Sequence, residues 1–120
     1  MDKADKIPYS FVAVPVEIYE AMLAYELTRS QMKALLYVIR KTFGFKGKAS
    51  GDYISINQMA KETGISRTSM SRAMSDLEKK GVLDVVRDKG RTSLSFIQVN
   101  EPKHWDVPIS MSENWWKLVK

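Results

Sequence analysis

The sequence is notable first for what it lacks. It has no cysteine, so disulfides and thiolate metal sites are excluded, which fits a reducing compartment such as the cytoplasm. A single histidine, His104, lies beside Trp105 in a stretch without a carboxylate cluster. A lone histidine is poor material for a metal site, and no serine is placed to form a triad with it. Asp84 and Asp88 flank a strand and a turn rather than a cleft. No apolar run approaches the ~18 residues needed to span a bilayer. The start, Met1-Asp2-Lys3-Ala4-Asp5-Lys6, is polar and of mixed charge, unlike a signal peptide. The Gly- and Lys-containing stretch from Phe45 to Asp52 is too irregular for a phosphate-binding loop and reads as a linker, with Lys46 and Lys48 as minor candidates for backbone contact. No enzyme, metal or cofactor is expected, and no membrane partner.

What is present is 120 residues of ordinary globular composition, enough for one core, with a formal net charge of +5. The charge is unevenly placed. Residues 40–91 carry 12 basic and 6 acidic side chains, whereas the chain before Arg40 has 4 and 5. Such clustering suits a polyanion.

The basic third contains Ser55 to Gly81, which reads as two helices joined by a tight turn. Ser55 caps the first, with Gln58 completing a capping box, and Gly64 ends it. Met59 and Ala60 face inward, Ile65 fills the angle, and Ser66 caps the second helix. Met70, Ala73, Met74 and Leu77 form one apolar stripe at helical spacing. The opposite face holds Arg67, Thr68, Ser69, Ser71, Arg72 and Ser75, with no acid among them. Hydroxyls and guanidiniums on one helix face match the major-groove edges of DNA. The same two capped helices also occur in small helical domains of other kinds.

The flanks extend the pattern. Residues 1–10 read as a loose arm, and Ile7 to Val14 as extended chain between Pro8 and Pro15. Pro15 and Glu17 open a helix ending near Glu26, with Ile18, Met22, Leu23, Tyr19 and Tyr25 on its buried side. Thr28-Arg29-Ser30-Gln31 is a second capping box, opening a helix to about Phe43. Its core face is Met32, Leu35, Leu36, Ile39 and Phe43. Arg40 and Lys41 in its last turn suit either the helix dipole or phosphate. Tyr53-Ile54 makes a short strand. Val82–Arg87 and Thr92–Val99 make a hairpin with Lys89 and Arg91 at its tip. The fold class is therefore mainly α with a small β-hairpin, a winged helix-turn-helix over residues 11–100. Residues 101–120 form a tail whose Ser112–Lys120 part reads as a short helix. Its Trp115, Trp116 and Val119 either pack back on the first helix or meet a second subunit.

Residues from about Phe11 to Val86 resemble the N-terminal domain of the phage replication protein O family. The resemblance rests on Val14 to Leu23, on Leu35 to Phe45, and on Ile54 to Ala60. It continues through Gly64-Ile65-Ser66-Arg67, Ser71-Arg72-Ala73 and Leu77 to Gly81. The segment Ile39-Arg40-Lys41-Thr42-Phe43-Gly44-Phe45 is more specific than the helix-turn-helix itself. The resemblance implies recognition of repeated origin sites on double-stranded DNA, commonly as a homodimer. It also implies recruitment of a helicase loader or helicase through a separate C-terminal region. Carried over, Arg67, Thr68, Ser69, Ser71 and Arg72 occupy the groove-facing helix. Ser55, Asn57, Lys89 and Arg91 are expected to hold the backbone. Family members usually continue well beyond the wing, so a chain of this length is expected to be either an excised DNA-binding domain or a small stand-alone relative. A winged-helix repressor is the alternative within DNA binding, and a protein-interaction module using the Trp-rich tail is the alternative outside it.

Overall fold

The computed structural model describes residues 12–43, 51–87 and 94–106. In chain order these form α1 (Val16–Ala24), α2 (Arg29–Lys41), β1 (Gly51–Ser55), α3 (Ile56–Thr63), α4 (Arg67–Lys79), β2 (Leu83–Arg87) and β3 (Leu94–Val99). A 3-10 turn, Pro102–His104, follows. The sheet is antiparallel with order β1-β3-β2. Helix-turn-helix followed by a β-hairpin and backed by α2 is the winged helix-turn-helix arrangement. The expected arm, the Phe45–Ser50 part of the linker with Lys46 and Lys48, the hairpin tip and the Ser112–Lys120 helix lie outside the described residues.

α2 is the spine. Thr28 and Gln31 form the expected capping box, each side chain taking the other's backbone N–H at 3.1 Å. The helix ends at Lys41, a little before the expected Phe43, and the backbone N–H and hydroxyl of Thr42 both donate to the Val38 carbonyl, the hydroxyl at 2.7 Å. Its inward face is also turned from the expected one. Leu35 and Ile39 are buried as expected, with Gln31, Ala34 and Val38 beside them, while Leu36 is 49% exposed and Met32 half-buried. Ala34 is fully buried, on the helix that packs against α3, α4, β1 and β3.

α1 departs in the same way. It stops at Ala24, and Tyr25 turns extended, setting its ring edge-on to Trp105 at 5.7 Å. Ile18, Ala21 and Ala24 are buried, whereas Leu23 and Tyr19, expected inside, point outward.

The helix-turn-helix forms as its caps direct. Ser55 accepts the Gln58 N–H, and Ser66 accepts the Ser69 N–H at 3.1 Å. Gly64 takes a left-handed conformation, φ 74°. Gln58 does not complete a capping box. Its amide reaches forward and donates to Glu62, one turn on, where a charged acceptor is the stronger partner. Tyr37 of α2 also donates its hydroxyl to Glu62, so this carboxylate ties α2 to α3. The Gln58 bond, then the Tyr37 bond, with Lys41 and Lys61 nearby, hold Glu62 below its usual pKa. Tyr37 moves the other way, from 10.0 to about 12, through burial first and then its bond to Glu62 and that residue's charge. A raised folded-state value means the clamp is intact below pH 10 and lost as pH climbs toward 12. In an ultraviolet titration one tyrosine of the five should therefore ionise late. Denaturation midpoints should fall between pH 10 and 12, and Tyr37→Phe should remove that part of the fall.

The sheet carries one addition. Beyond the expected hairpin, β1 pairs with the other side of β3, placing Ile54 opposite Ser95 and Tyr53 opposite Phe96, whose rings meet edge-on at 5.2 Å. β2 and β3 pair from Leu83↔Val99 to Arg87↔Ser95. Ile54, Leu83, Ile97 and Val99 join Leu35, Met59, Met70 and Leu77 in one core.

Candidate nucleic-acid interface

The underside of α4 fixes what its other face can do. Met70, Ala73, Met74 and Leu77 are all buried, as their spacing requires. Arg67, Thr68, Ser69, Ser71 and Arg72 are consequently exposed on the opposite side, while Ser75 is half-buried. Among the described residues neither Arg67 nor Arg72 is held in an ion pair, so both guanidiniums remain available to an outside acceptor. Ser66 anchors the first turn of the helix, where Arg67, Thr68 and Ser69 stand.

One acid borders the ridge. Asp76, half-buried, lines a groove of about 220 Å³ together with Arg72, Ser69, Thr28, Ser30 and Gln31. The N-terminal turn of α2 thus lies beside the first turns of α4, a neighbour that sequence spacing does not disclose.

The remaining expected contacts divide. Asn57 is exposed near the start of α3, whereas Ser55 is half-buried and its hydroxyl is engaged as the helix cap. Lys89 and Arg91 lie outside the described residues. Lys41 stands 5.5 Å from the centre of the Tyr37 ring, so its place is the α2–α3 clamp, while Arg40 is exposed. Arg87, before the hairpin tip, pairs with Glu78 at 3.2 Å and is thereby tied to α4. His104 is exposed on the 3-10 turn. No group of three or more metal-ligating side chains occurs among the described residues.

What sequence reading missed is the lock at the far end of α4. Asn100 donates from its side chain to the Gly81 carbonyl at 2.9 Å and to Asp84 at 3.3 Å. Its own carbonyl accepts the Trp105 indole N–H at 2.9 Å. The backbone N–H of Asp106 donates to Lys80. Helix end, hairpin and 3-10 turn are thus joined, and the exposed ridge rides on that joint. A separate groove of about 680 Å³ opens between α1 and the 3-10 turn, lined by Pro15, Ile18, Phe43 and Val99. Glu17 and Glu101 also line it, and Lys103, the one base in its lining, is paired with Glu101 at 3.5 Å, which leaves the groove unsuited to a polyanion.

Among the described residues no helix is long and apolar enough to cross a membrane. A comparison with curated proteins gives no match. The family model of bacteriophage replication protein O matches residues 3–100, which spans the four helices and three strands described above. The chain therefore belongs to the bacteriophage replication protein O family, and its role is related to phage replication.

Proposed function

We propose that the protein binds double-stranded DNA sequence-specifically and marks a phage or prophage replication origin. In this reading α4 enters the major groove. Arg67, Thr68 and Ser69 reach base edges from its first turn, and Ser71 and Arg72 reach base or phosphate. Asn57, Lys89 and Arg91 hold the sugar-phosphate rails, with Ser55 fixing the start of α3. The observation that carries the reading is the exposed, acid-free ridge from Arg67 to Arg72, set in the most basic third of the chain. The part played is recognition and not catalysis, and the place of action is the cytoplasm of the host cell. Pairing of two copies on repeated sites, and recruitment of a helicase or its loader by another region, follow as further proposals from the family.

The test separates reading from holding. Arg67→Ala should cost on the order of 1–3 kcal/mol at one base pair and relax preference there. Lys89→Ala should weaken binding to all duplexes alike and lower the salt slope by about one. Binding titrations of both variants on selected and scrambled duplexes, at several salt concentrations, provide the comparison. Equal, sequence-independent losses would overturn the division of labour. Mapping bound sites distinguishes tandem origin repeats from the single promoter palindrome of a repressor.

A further inference from the structure

α1 is apolar on both sides. Ile18, Ala21 and Ala24 face the core, while Val16, Tyr19 and Leu23 are 62%, 56% and 47% exposed. These three fall three and four residues apart, so they form a stripe on the side away from the core, and Val12, also exposed, precedes them. A helix at the surface of a globular domain ordinarily turns polar residues outward, and one that is apolar all round is normally covered on both sides. The stripe also has a charge. Val12 to Leu27 holds Glu17, Glu20 and Glu26 and no base. Glu17 and Glu20 run along one side, and Glu26 follows the helix end.

We propose that the segment Ser112–Lys120 of the same chain covers this stripe. Three observations select it. The segment carries Trp115, Trp116, Leu118 and Val119, with Lys117 and Lys120 against one acid, Glu113, so it is the apolar and net basic complement of an acid-bordered apolar strip. It is tethered in the right place, because Trp105 packs edge-on against Tyr25, just past the end of α1, and Asp106 is bound to Lys80. It also has the reach: the ten residues from Asp106 to Trp116 extend to roughly 33 Å, against about 14 Å for the length of α1.

A second copy of the chain fits less well. The stripe of a nine-residue helix offers roughly a few hundred Å² at most, well short of the ~800 Å² per partner of a stable complex. Two such stripes would also set glutamates against glutamates. A tethered segment needs far less area, because a short linker gives it an effective concentration in the millimolar range.

The full 120-residue chain, which has no cysteine of its own, permits a direct test. Leu23→Cys combined with Val119→Cys should form an intramolecular disulfide under mild oxidation. The rate should be independent of protein concentration and about tenfold or more above that of a Ser71→Cys, Val119→Cys control on the opposite helix. Equal rates in the two pairs would overturn the proposal. So would covalent dimers as the main product, which would assign the stripe to a second copy. Tryptophan emission gives an independent check without engineered cysteines. Trp105 is buried, so a red shift and stronger acrylamide quenching in Tyr19→Lys would report release of Trp115 and Trp116. Emission unchanged by that substitution would overturn it as well.

Discussion

Leu77→Ala should destabilise the protein by about 2–5 kcal/mol. Leu77 is wholly buried on the underside of α4, in the core that also contains Leu35, Met59 and Leu83. Truncation removes three carbons' worth of buried surface and leaves a void that helices fixed at both ends cannot close. α4 is fixed in that way, by the Ser66 cap at its start and by the Gly81–Asn100 bond beyond its end. The loss is a large part of the ~5–15 kcal/mol that holds a domain of this size together. Thermal unfolding by circular dichroism should show a fall in Tm of the order of 10 °C. Above the new Tm, binding to every duplex should fail together, since the whole ridge is lost and not one base contact. Arg67→Ala should show the reverse pattern, with Tm unchanged and one base position relaxed. A Leu77→Ala protein with native Tm would mean that α4 does not rest on this core.

The contrast between these two substitutions follows what could be read in the sequence. α4 was legible because its signals agree: Ser66 starts it, Gly81 stops it, and Met70, Ala73, Met74 and Leu77 repeat at one helical phase, all four buried. α1 was legible as a helix but not in orientation. With Ile18, Tyr19, Met22 and Leu23 on one side and Ala21 and Ala24 on the other, hydropathy favours the side with the large residues and does not find the true inner face. Contact with the rest of the chain chose Ile18, Ala21 and Ala24. In α2 the expected face erred by favouring large residues. Leu36 looks more like core than Ala34, yet Ala34 is the one enclosed. The burial of Gln31, expected only as a capping partner, and of Thr42 escaped notice for a related reason. They are polar but buried, and the bonds they make to neighbouring backbone are what permit it.

Long-range pairing was less legible still. Nothing local in Gly51–Ser55 says that it will lie beside β3, forty residues on, though Tyr53-Ile54 does read as strand. The Asn100–Trp105 joint belongs to the same class. An asparagine after a strand and a tryptophan between prolines look unremarkable until the chain brings both to Gly81. For the candidate interface the position was better. Exposure of Arg67 and Arg72 follows from the buried stripe alone, whereas the neighbouring turn of α2 and the bordering Asp76 required the fold.

Gly81→Ala should be the most damaging change at a surface-accessible backbone position, and Gly64→Ala is its natural control. Both glycines have left-handed backbones, φ 75° and 74°, which cost an L-residue roughly 1–2 kcal/mol. At Gly64 that is the whole penalty, because a Cβ there would have nothing within 4 Å. Gly81 is different. It ends α4 in a Schellman motif, its N–H donating to Glu78 and that of Val82 to Leu77, with the Val82 and Leu77 side chains both buried beneath. An added Cβ would run into the backbone carbonyl oxygen of His104, which a rotamer change cannot move. Relief requires the 3-10 turn to retreat, and Trp105 and the Asn100 bonds go with it. We expect a cost of about 3 kcal/mol or more, combining the strained backbone with a disrupted buried contact. Parallel melts should place Gly81→Ala well below Gly64→Ala. Trp105 should report the difference, with emission shifting red in the native baseline of Gly81→Ala but not of Gly64→Ala. If both variants lost the same stability, backbone strain alone would account for Gly81. The 3-10 turn would then not be a rigid support for the recognition helix.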